Sequence, residues 1–376
     1  MTATTTAAAE PPVRTRRSKL LRWLVIFAVL AGSGVGVKVY LGRQRLTWRA
    51  SYEPWSADSP WRRPATGALL HPQSAQMITD LYSRCGTGPD GPCKFPRLAG
   101  APDGKMLGSG FGVAVYVADA STPHYVVSCF KYVCGDQSTS GEQLTSLVDV
   151  PIPRGARPDP SSDAQLVVYD PAHAAAWDLW NASYDSSADT WKAGGGIRWD
   201  LSTTGVDTPG EAGSAVGGGS ALLGSVLRPE EVRRALADGT GVVSHLLSGG
   251  YSAPRRDCFV GPFAKKSDGK GASRWAIPEG AILRLDPSVN ISSLGLNPAE
   301  AVIARTLQRF GMVIRDDSGS FSIDVETVSV EDGAEPGRSA LWRSLDVRKN
   351  SLRALQGSMF QVLAWDPARA HGANCL

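Results

Sequence analysis

From Gly112 onward the apolar residues of this chain fall in runs of four to six, each closed by glycine, proline, aspartate or serine. Gly112-Val-Ala-Val-Tyr-Val117, His124-Tyr-Val-Val-Ser128, Gln165-Leu-Val-Val-Tyr169, Ala281-Ile-Leu-Arg-Leu285 and Met312-Val-Ile-Arg315 are the clearest. A run of about five residues makes a strand of about 17 Å but little more than one helical turn, so the pattern selects β-structure. The 41 Gly and 25 Pro residues supply the turns that many short strands need, and they exclude an all-α bundle. Trp177-Asp-Leu-Trp180-Asn-Ala-Ser183, Thr190-Trp-Lys-Ala193 and Gly196-Ile-Arg-Trp199-Asp-Leu201 continue the series as a β-meander with aromatic residues at cross-strand spacing.

Two segments break the rule. Pro229–Asp238 carries Glu230 and Glu231 in its first turn and stops at Gly239, the marks of a short helix. Asn297, Pro298 and Glu300 form a capping-box start for a second helix that places Val302, Ile303, Leu307 and Phe310 on one stripe. No strand-helix-strand unit repeats and no internal repeat is present, so the expected fold is mainly β, a β-sandwich or jelly-roll-like domain with a few short helices.

The N-terminus sets an expectation about location. Arg14, Arg16, Arg17, Lys19 and Arg22 precede an uncharged run from Trp23 to Val37, with Lys38 and Tyr40 placed for the far interface. The expected organisation is a tail over 1–19, a transmembrane helix over 20–42, a juxtamembrane stalk over 43–66 and an extracytoplasmic domain over 67–376. This makes a single-pass plasma-membrane protein. A cleaved signal peptide is the competing reading, although no small-x-small site follows Val37, and Thr15–Leu21 partly resembles a twin-arginine signal. The six cysteines form no CxxC pair and have no histidine at zinc-finger spacing. Cys85 with Cys93 and Cys129 with Cys134 are close enough for local disulfides, which leaves Cys258 with Cys375; six reduced thiols are the alternative.

The formal charge of +3, from 39 basic against 36 acidic residues, gives no field for nucleic acid. The stretch Gly213–Gly224 lacks the Gly-Lys-Ser/Thr ending of a phosphate loop, and Gly-x-Ser-x-Gly is absent, so neither a nucleotide site nor a serine hydrolase is indicated. No metal site or cofactor is expected. His245, on a strand among small residues, is the best candidate base, with Asp163 and Asp268 as carboxylates, since glycoside hydrolysis needs two carboxyl groups across a cleft. A core histidine and turn-capping aspartates are the structural alternatives. Arg284, alternating with Leu283 and Leu285, can clamp a carboxylate or sugar hydroxyl. Trp177, Trp180 and Trp199, with Trp191, offer ring faces for a sugar, or fill the core.

One stretch resembles known proteins. Leu227-Arg-Pro-Glu-Glu231, His245, Lys266-Ser-Asp-Gly269, Ile277-Pro-Glu-Gly280, Leu283-Arg-Leu-Asp-Pro-Ser-Val289 and the Ile303–Met312 helix resemble, as a set, a family of exported actinobacterial and soil-bacterial proteins with no assigned reaction. The resemblance covers about Val150 to Val325 and implies a secreted or surface-associated β-rich domain. Together these features lead to the expectation of a membrane-anchored carbohydrate-active protein, a glycoside hydrolase or polysaccharide lyase on cell-envelope glycans. The alternative is a non-catalytic envelope module that binds glycan or a partner protein.

Overall fold

The computed structural model describes residues 54–84, 94–103, 111–139, 142–206, 211–327 and 337–375. The first strands are β1 (Arg97–Ala99), β2 (Ala114–Val117), β3 (His124–Cys129), β4 (Gly135–Asp136), β5 (Ser146–Pro151) and β6 (Leu166–Asp170). Next come β7 (Ala175–Trp180), β8 (Ser183–Asp185), β9 (Thr190–Ala193), β10 (Gly195–Asp200), β11 (Leu247–Tyr251) and β12 (Phe259–Val260). The last are β13 (Ile282–Leu285), β14 (Met312–Asp317), β15 (Ser322–Asp324), β16 (Phe360–Val362) and β17 (Ala370–His371). The helices are α1 (Ser74–Ser83), α2 (Pro229–Ala237), α3 (Pro298–Arg309) and α4 (Gly337–Ser344).

The strands form a six-stranded sheet in the order β1-β15-β11-β14-β13-β16, a five-stranded sheet β2-β6-β7-β10-β4, a four-stranded sheet β5-β3-β9-β8 and the β12-β17 pair. Of the expected meander, the first and last strands pair: β7 is antiparallel to β10, and also to β6, with Trp177 opposite Arg198 and Val168, but Thr190–Ala193 does not lie between them. Its β8–β9 hairpin leaves to join the four-stranded sheet. The fold is mainly β, but it is no jelly roll. Parallel pairs β1·β15, β2·β6, β3·β9, β10·β4 and β11·β14 run through every large sheet, because long excursions return each chain segment in the same direction.

One face of the six-stranded sheet is apolar. Leu247, Met312, Ile314 and Ile323 pack there with Met77, Ile78 and Leu81 of α1, Val232 and Ala235 of α2, and Val302, Ile303 and Leu307 of α3. Helix α3 begins with both halves of the capping box: Glu300 N–H donates to Asn297 Oδ1 at 2.9 Å and Asn297 N–H donates to Glu300 Oε2 at 2.8 Å. The part of the expected stalk that is described, 54–66, docks onto the domain. Trp61 is 1% exposed and donates from Nε1 to Gly205 O at 2.6 Å.

The membrane anchor is corrected here. Among the described residues no helix is long and apolar enough to cross a bilayer. The longest, α3 with 12 residues, rises only about 18 Å against a hydrocarbon layer of about 30 Å. The segment expected to span, 20–42, lies outside the described residues, so the single-pass plasma-membrane placement has no support in the structure. Disulfides join Cys129 to Cys134, Cα atoms 6.1 Å apart, and Cys258 to Cys375, Cα atoms 4.9 Å apart. Cys85 and Cys93 lie outside the described residues.

Candidate functional site

The opposite face of the six-stranded sheet is polar, because Ser322 and Asp324 alternate with Ile323 and Ser248 alternates with Leu247. This face and the turn before β6 enclose a cleft of about 400 Å³, the size of a small-ligand site. Arg315, Asp316 and Asp324 line it from the large sheet, and Asp163 lines it from the five-stranded sheet. Strict alternation along β14 would send Asp316 to the helix side with Ile314. A bulge prevents this: Gly249 pairs with Ile314 and Gly250 with Asp316, so Arg315 is the extra residue and both it and Asp316 reach the cleft.

Asp163 is fixed by a tight turn. Ala164 takes φ 41°, Asn181 N–H donates to the Asp163 carbonyl at 2.7 Å and Ala182 N–H donates to that of Ala164 at 3.0 Å. Trp180 Nε1 donates to the Asp163 carboxylate at 3.4 Å. Burial raises the pKa of Asp163; the Trp180 hydrogen bond and Arg315 oppose the rise, and the carboxylates of Asp159 and Asp324 add to it. Asp324 is held differently: Arg315 Nε donates to its Oδ2 at 2.6 Å and Ser248 Oγ at 3.2 Å. Two carboxyl groups on one cleft thus sit in different surroundings, one largely buried under Trp180 and one ion-paired with Arg315. At the mouth, Phe111 is 56% exposed with φ 61°, a strained conformation for so large a residue.

A second carboxylate group adjoins the first. Asp268, Glu279 and Asp316 bring one oxygen each to within 4.8 Å of one another, which makes them the residues that can hold a metal ion. Asp316 keeps part of its surface in the cleft, yet burial and then the nearby Asp268 push its carboxyl up to about 8. Glu279 is fully buried, and burial, followed by Asp268, raises it well above the usual carboxylate range.

The structure distributes the sequence candidates widely. His245 lies away from the cleft, with Nδ1 2.9 Å from Leu246 O and Nε2 3.3 Å from Glu231 Oε2, so both ring nitrogens face internal acceptors. Arg284 is buried and donates to Ala65 O at 2.8 Å and Gln361 Oε1 at 3.2 Å, tying the docked N-terminal segment to β16. Trp177 and Trp199 are buried, whereas Trp180 keeps some surface. Asp163 lines the cleft and Asp268 joins the adjoining trio. Sequence reasoning passed over Arg315, Asp316, Asp324 and Glu279. The Arg-Asp-Asp ending of the Met312 strand was the available signal, since charged residues closing an apolar strand must find a polar face. No family model, no curated protein and no solved structure matches the chain, so the chemistry of the site rests on its own residues.

Proposed function

We propose that the protein is a glycoside hydrolase acting on a polysaccharide, with Asp163 as general acid and Asp324 as the second carboxylate. The observation that carries this reading is the cleft of about 400 Å³ that presents Asp163 from one sheet and the ion-paired Asp324 from the other. Hydrolysis breaks the bond between the anomeric carbon and the glycosidic oxygen. Asp163 delivers its proton to the departing oxygen, and Asp324 either removes a proton from the attacking water or bonds the anomeric carbon until water displaces it. Arg315 holds Asp324 in place through its ion pair at 2.6 Å.

Aromatic surface leads to this point. Trp180 touches Asp163 on one side and Tyr132 on the other, ring centroids 5.7 Å apart, and Tyr132 is 60% exposed on the loop closed by the Cys129–Cys134 disulfide. Lys131 lies over both rings, at 5.2 Å and 4.8 Å. Such a platform suits a sugar chain, whose C–H faces stack on aromatic rings.

The test incubates the protein with arabinan, galactan and uronic-acid polymers and measures new reducing ends. Asp163→Asn and Asp324→Asn are expected to lower the rate by about 100-fold or more, the usual contribution of acid–base groups. Equal rates in the variants and the parent refute the assignment. Polysaccharide affinity without cleavage moves the reading to a binding module.

A further inference from the structure

We propose that Asp268, Glu279 and Asp316 form a binding site for a hard divalent cation, calcium by size and donor type, in the wall of the cleft. All three donors are carboxylate oxygens, the chemistry that selects calcium or magnesium over softer metals. Their mutual spacing within 4.8 Å fits the shell of a calcium ion, which is roughly 4.6–5.2 Å across from oxygen to oxygen. Octahedral magnesium, about 4.2 Å across, is the tighter alternative.

The decisive observation is Glu279. It has no exposed surface, one oxygen, Oε2, accepts the Asp268 N–H at 3.0 Å, and the other, Oε1, has no hydrogen-bond partner. A buried carboxylate oxygen left without a donor costs several kcal/mol unless something positive satisfies it. The backbone is built to put it there. Gly280 takes φ 85°, and a Cβ on it would fall 1.8 Å from Val260 O, while Val260 N–H donates to Glu279 O at 2.8 Å and Gly280 N–H to Ile314 O at 2.7 Å. A second element converges on the same place. A Cβ on Gly217 would lie 2.4 Å from Asp268 Oδ1 and one on Gly218 2.9 Å from Arg315 O, so the 217–218 backbone runs close against both. Gly218 is clamped there by its N–H to Arg315 O at 2.8 Å and by its carbonyl, which accepts from Lys265 N–H at 2.9 Å. The glycine-rich stretch that is no phosphate loop thus lies against the carboxylate trio.

The site is independent of the hydrolase reading. Full-length protein is stripped with chelator and titrated with calcium, magnesium and terbium, with binding followed by calorimetry, by terbium luminescence and by the melting temperature. One equivalent of calcium is expected to bind and raise the melting temperature, and Glu279→Gln, Asp316→Asn and Asp268→Asn each to weaken binding at least tenfold. Asp268→Asn, at an exposed side chain, keeps the test sound where Glu279→Gln fails to fold. Metal-free Asp316→Asn is expected to melt above the metal-free parent, because it removes repulsion, and to lose the calcium-dependent gain. No response to millimolar calcium, a stronger response to magnesium, or parental affinity in all three variants overturns the site. Calcium binding without polysaccharide cleavage supports it and defeats only the hydrolase.

Discussion

Glu231→Gln isolates the network that holds His245. Arg228 donates to Glu231 from Nε at 2.8 Å and from Nη2, and His245 Nε2 lies 3.3 Å from the same carboxylate. The side chains of Arg228, Glu231 and His245 are 2%, 7% and 10% exposed. Burial works to raise the Glu231 carboxyl, but Arg228 and His245 outweigh it and hold it at about 2 against an ordinary 4.5. A carboxyl depressed to that extent contributes about 3 kcal/mol, present in full above pH ~4.5 and lost as pH falls toward ~2. Removing one member of a buried pair costs about 3–5 kcal/mol, so the two routes to the magnitude agree. Urea denaturation near pH ~7 is expected to show Glu231→Gln less stable by that amount, with the gap shrinking as pH falls below ~4.5. A gap below ~1 kcal/mol at neutral pH, or one that stays constant in acid, refutes the role of Glu231 as the internal counter-charge. His245 serves the same network, so His245→Gln is expected to leave polysaccharide cleavage at the parental rate.

Other outcomes follow from the same geometry. The Cys258–Cys375 bridge closes a separation of 117 residues and Cys129–Cys134 one of 5, so loop entropy assigns about 4.9 and about 2 kcal/mol respectively, and calorimetry of Cys258→Ser and Cys129→Ser is expected to rank them in that order. Asp178 is buried, accepts from Trp199 Nε1 at 2.6 Å and Leu222 N–H at 2.8 Å, and is pushed up by burial to about 6. Its protonated form therefore favours the fold below pH ~4, and up to ~3 kcal/mol of that stability is lost as pH rises through ~6, a slope that urea titration should find missing in Asp178→Asn. Tyr132→Ala is expected to raise KM for polysaccharide by about threefold to tenfold, from ~1 kcal/mol of lost stacking, and to leave kcat unchanged; a fall in kcat alone counts against the platform.

Much of the strand pattern was legible because a short apolar run between turn formers has few alternatives to a strand, and Asn297 with Glu300 marked α3 for the same local reason. Pairing was not legible. Whether β11 meets β14 in parallel depends on chain returns of more than 60 residues, and nothing local to Leu247–Tyr251 encodes that partner. The site divides along the same line. Asp163 was visible as a carboxylate beside a strand, but Asp324 acquires its meaning from Arg315 nine positions earlier, and Arg315 from a bulge opposite Gly250. His245 drew attention as a lone imidazole in an apolar run, where its acceptor Glu231 sat 14 residues away on α2 and out of view. Of the two roles open to the tryptophans in the sequence, Trp177 and Trp199 take the core-filling one, whereas Trp180 retains some surface; composition alone does not divide them.

Asp324 ends a strand of the six-stranded sheet, and Asp163 lies in the turn that leads into the five-stranded one. Immediately after Asp324, Val325 bridges to Leu227 and Glu326 to Val113, the residue that leads into β2. The strand that ends in Asp324 therefore continues as the splice to the sheet that the Asp163 turn enters. Spacing between the two groups is set by a few residues at the splice, and these residues belong to the core: Leu227 and Val325 pack with the helices, and Val113, Glu326 and Thr327 have no exposed surface. Changes of bulk at 112–113 or 325–327 would therefore shift the two carboxylates and the interior packing together, since a Cβ on Gly112 would already meet Gly100 Cα at 2.6 Å and Thr327 Cβ at 2.8 Å, so the geometry of the cleft is tied to the stability of the fold at this joint.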